Sequence, residues 1–89
     1  MFMYYVYILL SKKDGKFYIG CTNNLKLRFQ MHNNGAVRST KGRIPFKLIY
    51  YEAFLNKHDA FVREQWLKTR WGFNQIHKIL KNYLTIIKK

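Results

Sequence analysis

Cys21 is the only cysteine in the sequence, so no intramolecular disulfide can form. A disulfide-stapled secreted scaffold is thereby excluded, and a reducing cytoplasm is the expected setting. One cysteine beside the scattered His32, His58 and His77 also rules out a structural zinc cluster, which takes four ligands. No apolar run approaches the roughly 18 residues of a membrane-spanning helix. The opening MFMYYVYILL lacks the basic n-region of a secretion signal and reads instead as a strand. Scarcest of all are carboxylates. Asp14, Glu52, Asp59 and Glu64 stand against 17 Lys and Arg, a formal net charge of +13. A polyanion is the natural partner for such a chain, and nucleic acid is favoured over a membrane surface. Lys78, Lys81, Lys88 and Lys89 interleave with apolar residues near the C-terminus, but a solvated helix facing a core accounts for them equally well.

What is present suffices for one folded unit. At 89 residues the chain is a single domain, 1–89, and its 48% hydrophobic and 18% aromatic content is well above that of disordered sequences. Tyr4 to Leu10 and Phe17 to Cys21 are short apolar runs rich in Tyr, Val and Ile, separated by Lys12-Lys13-Asp14-Gly15, which is a hairpin signal. Thr22 or Asn23 is placed to cap a helix running to about Asn34, where Asn33-Asn34-Gly35 ends it. Ala36 to Pro45 is polar and basic and reads as a connecting loop with a short helical turn. Phe46 to Phe54 is a third strand. Asn56 then caps a helix from about Lys57 to Arg70, Gly72 interrupts, and a final helix runs from about Phe73 to Ile86. The expected fold is α+β, a three-stranded sheet flanked by helices in the order β-β-α-β-α-α.

The informative residues are those whose chemistry conflicts with the face they occupy. At ~3.6 residues per turn, Leu25, Arg28, Phe29 and His32 share one helical arc, with Arg28 and His32 a turn apart. That pair suits a functional site, and equally a boundary where the Arg stem packs and its head reaches water. Glu64 is more pointed, because Ala60, Phe61, Leu67 and Trp71 surround it on its helix and a buried Glu needs a partner. An internal Arg such as Arg28, a hydrogen-bond network or a divalent cation would serve. In the hairpin, a loop of Lys12 to Gly15 pairs Ser11 with Lys16, which sets Tyr7 opposite Gly20 and Leu9 opposite Tyr18. Tyr7 and Tyr18 then share a sheet face as diagonal neighbours at about 7 Å, near enough for both phenols to border one site. Gly20 leaves room there for a phosphate or another backbone to approach.

In order along the chain stand Tyr5-Val6-Tyr7, Tyr18-Ile19-Gly20, Thr22-Asn23-Asn24-Leu25, Arg28, His32-Asn33-Asn34-Gly35, Ser39-Thr40-Lys41-Gly42, Arg63-Glu64 and Leu67-Lys68. This ordered set resembles the GIY-YIG nuclease family, and in particular its short stand-alone members, which are related to a nuclease domain of the excinuclease. The resemblance covers about Tyr4 to Lys68. It implies hydrolysis of a phosphodiester assisted by one divalent cation, Mg²⁺ or Mn²⁺. Glu64 would hold the metal, Arg28 would bind the scissile phosphate, and Tyr7 would deprotonate or position the attacking water beside His32 and Tyr18. DNA is the favoured substrate, in repair or in the processing of branched or damaged molecules, with a protein partner supplying specificity. Arg28, Arg38, Lys41, Arg43 and Lys47 are the residues expected to contact nucleic acid. The alternative is a basic nucleic-acid-binding module that keeps the fold without catalysis. Two departures stand out: Tyr5 replaces the glycine of the first motif and adds a ring beside the site, and Cys21-Thr22 follow the second where the excinuclease branch has a lysine close behind.

Overall fold

The computed structural model describes residues 2–87; Met1, Lys88 and Lys89 lie outside the described residues. Strands β1 (Tyr4–Ser11), β2 (Phe17–Thr22) and β3 (Phe46–Phe54) form one antiparallel sheet in the order β2-β1-β3, so β1 is central and β2 is an edge. Helix α1 (Leu25–Asn33) follows β2, and a 3₁₀ turn (Lys41–Arg43) lies in the connection to β3. Helices α2 (Lys57–Leu67), α3 (Arg70–Ile79) and α4 (Lys81–Ile87) follow β3.

The unbroken apolar run of β1 follows from its position. A strand with both faces covered cannot alternate polar and apolar residues, and Val6, Tyr7, Ile8 and Leu9 are all buried. Val6 and Ile8 pack with Ala60, Leu67 and Ile76 of α2 and α3 on one face. Tyr7 and Leu9 pack on the other with Phe46, and Leu25 and Phe29 of α1 close over them. Each such side chain contributes roughly 1.5–3 kcal/mol by leaving water. The hairpin register is the expected one, with Tyr7 opposite Gly20 and Leu9 opposite Tyr18. On the other side, β3 carries an extra residue at Ile49, between the pairs Ile8–Tyr50 and Leu9–Leu48. This bulge lets Ile49 and Tyr50 both reach the α2–α3 side while Leu48 reaches the α1 side.

Helix boundaries differ from expectation where several residues compete as caps. Asn24, not Thr22 or Asn23, caps α1 by accepting from the Leu27 amide at 3.2 Å. Thr22 instead accepts from the Asn24 amide at 3.1 Å and sets the turn. Asn56 caps α2 as expected. The break after α2 falls at Lys68–Thr69, because the Thr69 hydroxyl takes the Gly72 amide at 3.2 Å and starts α3. Gly72 is therefore inside α3. A β-carbon there would collide with the Leu67 backbone and the Trp66 carbonyl, so glycine permits the tight crossing of α2 and α3. The expected final helix is divided at Leu80 into α3 and α4.

Candidate active site

Tyr7 projects from the central strand toward α1, and its ring lies over Gly20 of the edge strand. Any β-carbon at Gly20 would collide with the Tyr7 ring and hydroxyl. The space expected there for a phosphate is occupied by the tyrosine itself. Tyr18, two positions away on β2, places its ring centroid 6.3 Å from that of Tyr7 and 4.8 Å from that of His32.

His32 comes from the last turn of α1 and is fully buried. Its Nε2 lies 2.9 Å from the Tyr7 hydroxyl and its Nδ1 lies 2.8 Å from Oγ1 of Thr40. Thr40 Oγ1 also donates to the Val37 carbonyl at 3.3 Å. A hydroxyl has one proton, so Thr40 accepts from Nδ1–H, and Nε2 is left as the acceptor of the tyrosine proton. Direction is thus set along the chain Tyr7 to His32 to Thr40 to Val37. Burial first, and then the Arg28 charge, push the His32 pKa down to about 4. Burial raises Tyr7 to about 12, while the Arg28 guanidinium beside it pulls the other way. At neutral pH both groups are uncharged, a phenol donating to an imidazole.

Arg28 and Glu64 reach the site from opposite faces of the sheet, α1 and α2, and meet at the edge of β2. They share an open cleft of about 520 Å³ with Tyr4, Cys21, Thr22, Asn23, Lys57 and Phe61. A second cleft of about 500 Å³, over Tyr5 and Tyr51, contains no carboxylate or histidine among the described residues. Tyr5 packs edge-on against Tyr51 at 5.9 Å, so the bulky replacement for glycine is absorbed there.

Glu64 is largely covered, as expected, with its side chain 12% exposed, but it is not wholly enclosed in the apolar stripe. Ala60 and Leu67 are buried, but Phe61 and Trp71 are 50% and 74% exposed, so the carboxylate borders the cleft. Its partner is Lys68 one turn on, with Nζ 3.2 Å from Oε2, and not Arg28. The other acids are engaged or remote. Asp14 binds Arg43 at 2.7 Å, which holds its pKa far below the usual carboxylate range. Glu52 binds Arg63 at 2.8 Å and accepts from the Tyr50 hydroxyl at 2.7 Å. Asp59 is exposed in the first turn of α2.

Among the described residues no group of three or more His, Cys, Asp or Glu could enclose a metal ion. The donor set does fit Mg²⁺ or Mn²⁺ held in the manner usual at phosphate sites, by one carboxylate with water and substrate oxygens completing the shell. Glu64 can supply that carboxylate, since its charged partner among the described residues is a half-exposed lysine that can turn away. Of the basic residues expected on the nucleic-acid surface, Arg38 and Lys41 are exposed on the loop after α1. Lys47 is exposed with its ammonium 5.6 Å from the Tyr83 ring centre. The Arg43 guanidinium is engaged with Asp14 and with the Lys16 and Phe17 carbonyls. Thr40 and Lys68 were visible in the sequence motifs but not as site residues, because only their folded positions put them against His32 and Glu64.

The neutral His32 makes stability depend on pH in a definite direction. Its folded pKa lies below the unfolded value of about 6.5, so the unfolded chain binds more protons between the two. Its contribution is fully present above pH 6.5 and is lost as pH falls toward 4, roughly 3 kcal/mol in all. Urea unfolding at pH 7, 6, 5 and 4.5 is expected to show that slope in the native protein and to lose most of it in His32→Gln. An unchanged slope in the variant would assign the pH response to other groups.

Sequence comparison identifies the family. The GIY-YIG catalytic-domain pattern matches residues 3–75, and the chain belongs to the GIY-YIG family of nuclease domains. Its relatives are UPF0213 proteins. One from Clostridium perfringens is 51% identical over 67 residues, covering 74% of this chain and 71% of the relative. Another from Oceanobacillus iheyensis is 40% identical over 77 residues, covering 85% and 88%. The solution NMR structure of a UPF0213 protein from Bacillus halodurans shares 35% identity at a TM-score of 0.55, covering 86% of this chain and 84% of that one. Nucleic acid is the substrate class of this family. No helix among the described residues is long and apolar enough to cross a membrane.

Proposed function

We propose that this domain is a divalent-metal-dependent endonuclease that hydrolyses a phosphodiester of DNA, acting in the repair or processing of branched or damaged molecules in the cytoplasm. The observation that carries this reading is the directed chain from Tyr7 to a neutral, buried His32, with the Arg28 guanidinium beside the Tyr7 hydroxyl and Arg28 and Glu64 sharing one cleft. A water approaching a phosphate held by Arg28 gives its proton to the Tyr7 oxygen as Tyr7 passes its own to Nε2 of His32. Such relayed general-base catalysis is worth about 10²–10⁴-fold. Tyr18 lines the path and helps orient the tyrosine. Arg28 offers a planar fork for two phosphate oxygens. Held by Glu64, Mg²⁺ or Mn²⁺ would neutralise the non-bridging oxygens and the developing charge. Exposed Arg38, Lys41 and Lys47 extend the positive surface for the flanking backbone, and Arg43 joins them only by giving up Asp14. A protein partner that selects the substrate is consistent with so small a domain.

The test is cleavage of duplex, flap, branched and single-stranded DNA by the purified protein with Mg²⁺ or Mn²⁺. Nicking that is abolished by a chelator and restored by the ion is expected. Salt-sensitive binding without cleavage on every substrate would favour the alternative, a binding module on the same fold.

A further inference from the structure

The cleft holding Arg28 and Glu64 is not the only one on the β2 edge. Beside it lies a groove of about 550 Å³, within the size range of small-ligand sites, lined in part by Phe17, Tyr18, Phe73, His77, Lys16 and Lys68. Its rings cluster at a tilt, with centroids 6.1 Å apart and planes at 49° for Phe17 and Phe73, and 4.4 Å apart and 50° for Phe73 and His77, so that Phe73 offers one face of its own. Phe73 is 50% exposed, which leaves apolar ring surface in water and available to another ring. Among the described residues no carboxylate lines the groove, and its formal charges are the ammonium groups of Lys16 and Lys68.

Two contacts join this groove to the active site. Tyr18 borders it at the edge strand, with its ring on the α1 face of the sheet 4.8 Å from that of His32. Lys68 lines it while its ammonium holds Glu64 at 3.2 Å, and that side chain is 47% exposed, so it can turn to a phosphate. An aromatic floor with cationic rims and no acid suits a nucleobase and its phosphate better than an apolar or acidic peptide. A base can lie on Phe73 only if its own face is free.

We propose that this groove is a stacking subsite for an unpaired nucleobase next to the scissile phosphate, with Lys68 and Lys16 on the adjoining backbone. The substrate is then a strand with at least one unstacked nucleotide at the cut, such as a flap, a bulge or a single strand. This assignment rests on the nuclease reading for its position but not for its test. Binding of fluorescent single-stranded and blunt duplex DNA of the same sequence is measured with the whole protein in chelator, for wild type, Phe73→Ala and Phe73→Trp. Loss of one stacking contact is expected to lower single-strand affinity roughly 5- to 100-fold in Phe73→Ala, leave the blunt duplex within about 2-fold, and spare Phe73→Trp. Equal losses on both substrates, or none on either, would overturn the subsite. Cleavage by wild type with Mg²⁺ or Mn²⁺ is followed in parallel. Selective loss of binding in a protein that never cleaves sustains the groove and removes the nuclease reading. Cleavage with an unselective Phe73→Ala removes the groove and leaves the nuclease.

Discussion

Glu64→Gln is expected to reduce phosphodiester cleavage on the order of 100-fold or more while the domain stays folded. The substitution keeps the size and hydrogen-bonding shape of the side chain and removes only its charge. What it disturbs structurally is limited, since the Lys68 end of the pair is 47% exposed and a glutamine keeps a hydrogen-bond acceptor in the place of the Glu64 carboxylate, whose side chain is 12% exposed. What it disturbs functionally is large. Among the described residues Glu64 is the only carboxylate lining the cleft that contains Arg28, and the other three acids are held by arginines or lie on an exposed helix turn. No other carboxylate among the described residues lines the cleft to take its place. The measurement pairs cleavage rates with thermal melts and with Mn²⁺ binding by titration calorimetry. A variant that folds, loses Mn²⁺ binding and loses cleavage agrees with the assigned role. One that cleaves at the native rate would remove Glu64 from the site. Lys68→Met is the informative companion, because freeing the carboxylate should tighten ion binding if the lysine competes for it.

The hairpin register was legible, since its parity is dictated by loop length, but the strand order, the bulge at Ile49 and the last residues of β1 and β2 were not. The bounds of β3, and the conflict of Arg28, His32 and Glu64 with their helical faces, could also be read. Helix ends could not, because several Asn and Thr residues compete to cap α1 and because Thr69 restarts a helix that composition alone carries through to Gly72. The site was legible in its members but not in its pairings. Periodicity placed Glu64 among apolar residues and invited Arg28 as its partner. It could not reveal that Phe61 and Trp71 remain in solvent or that Lys68, one helical turn on, reaches the carboxylate first. Nor could it show that Gly20 is required by the ring of Tyr7, or that Thr40, from a loop, fixes the tautomer of His32. Those facts depend on contacts between elements, which no local pattern encodes.

Tyr7→Phe separates two ways in which a tyrosine can serve as base. The loss of cleavage is expected to be about 10²–10⁴-fold, the usual contribution of a positioned proton-transfer group. Stability should fall by roughly 1–3 kcal/mol, because Nε2 of the buried His32 then has no donor. The pH profile of the native protein carries the mechanism. If Tyr7 acted as a preformed phenolate, its pKa of about 12 would make the rate climb roughly tenfold per pH unit far into the alkaline range. If Tyr7 instead relays its proton to His32, the requirement is only that Nε2 be free to accept it. With the His32 pKa near 4, the rate should be level from about pH 6 to 9 and decline as the imidazole is protonated below about pH 5. A His32→Gln variant keeps a hydrogen-bonding group but is no proton acceptor, so it should lose the plateau and retain only a slow, alkaline-rising rate. A steadily climbing native profile, with His32→Gln little changed, would transfer the base role to the phenolate and leave the histidine as a support for the ring.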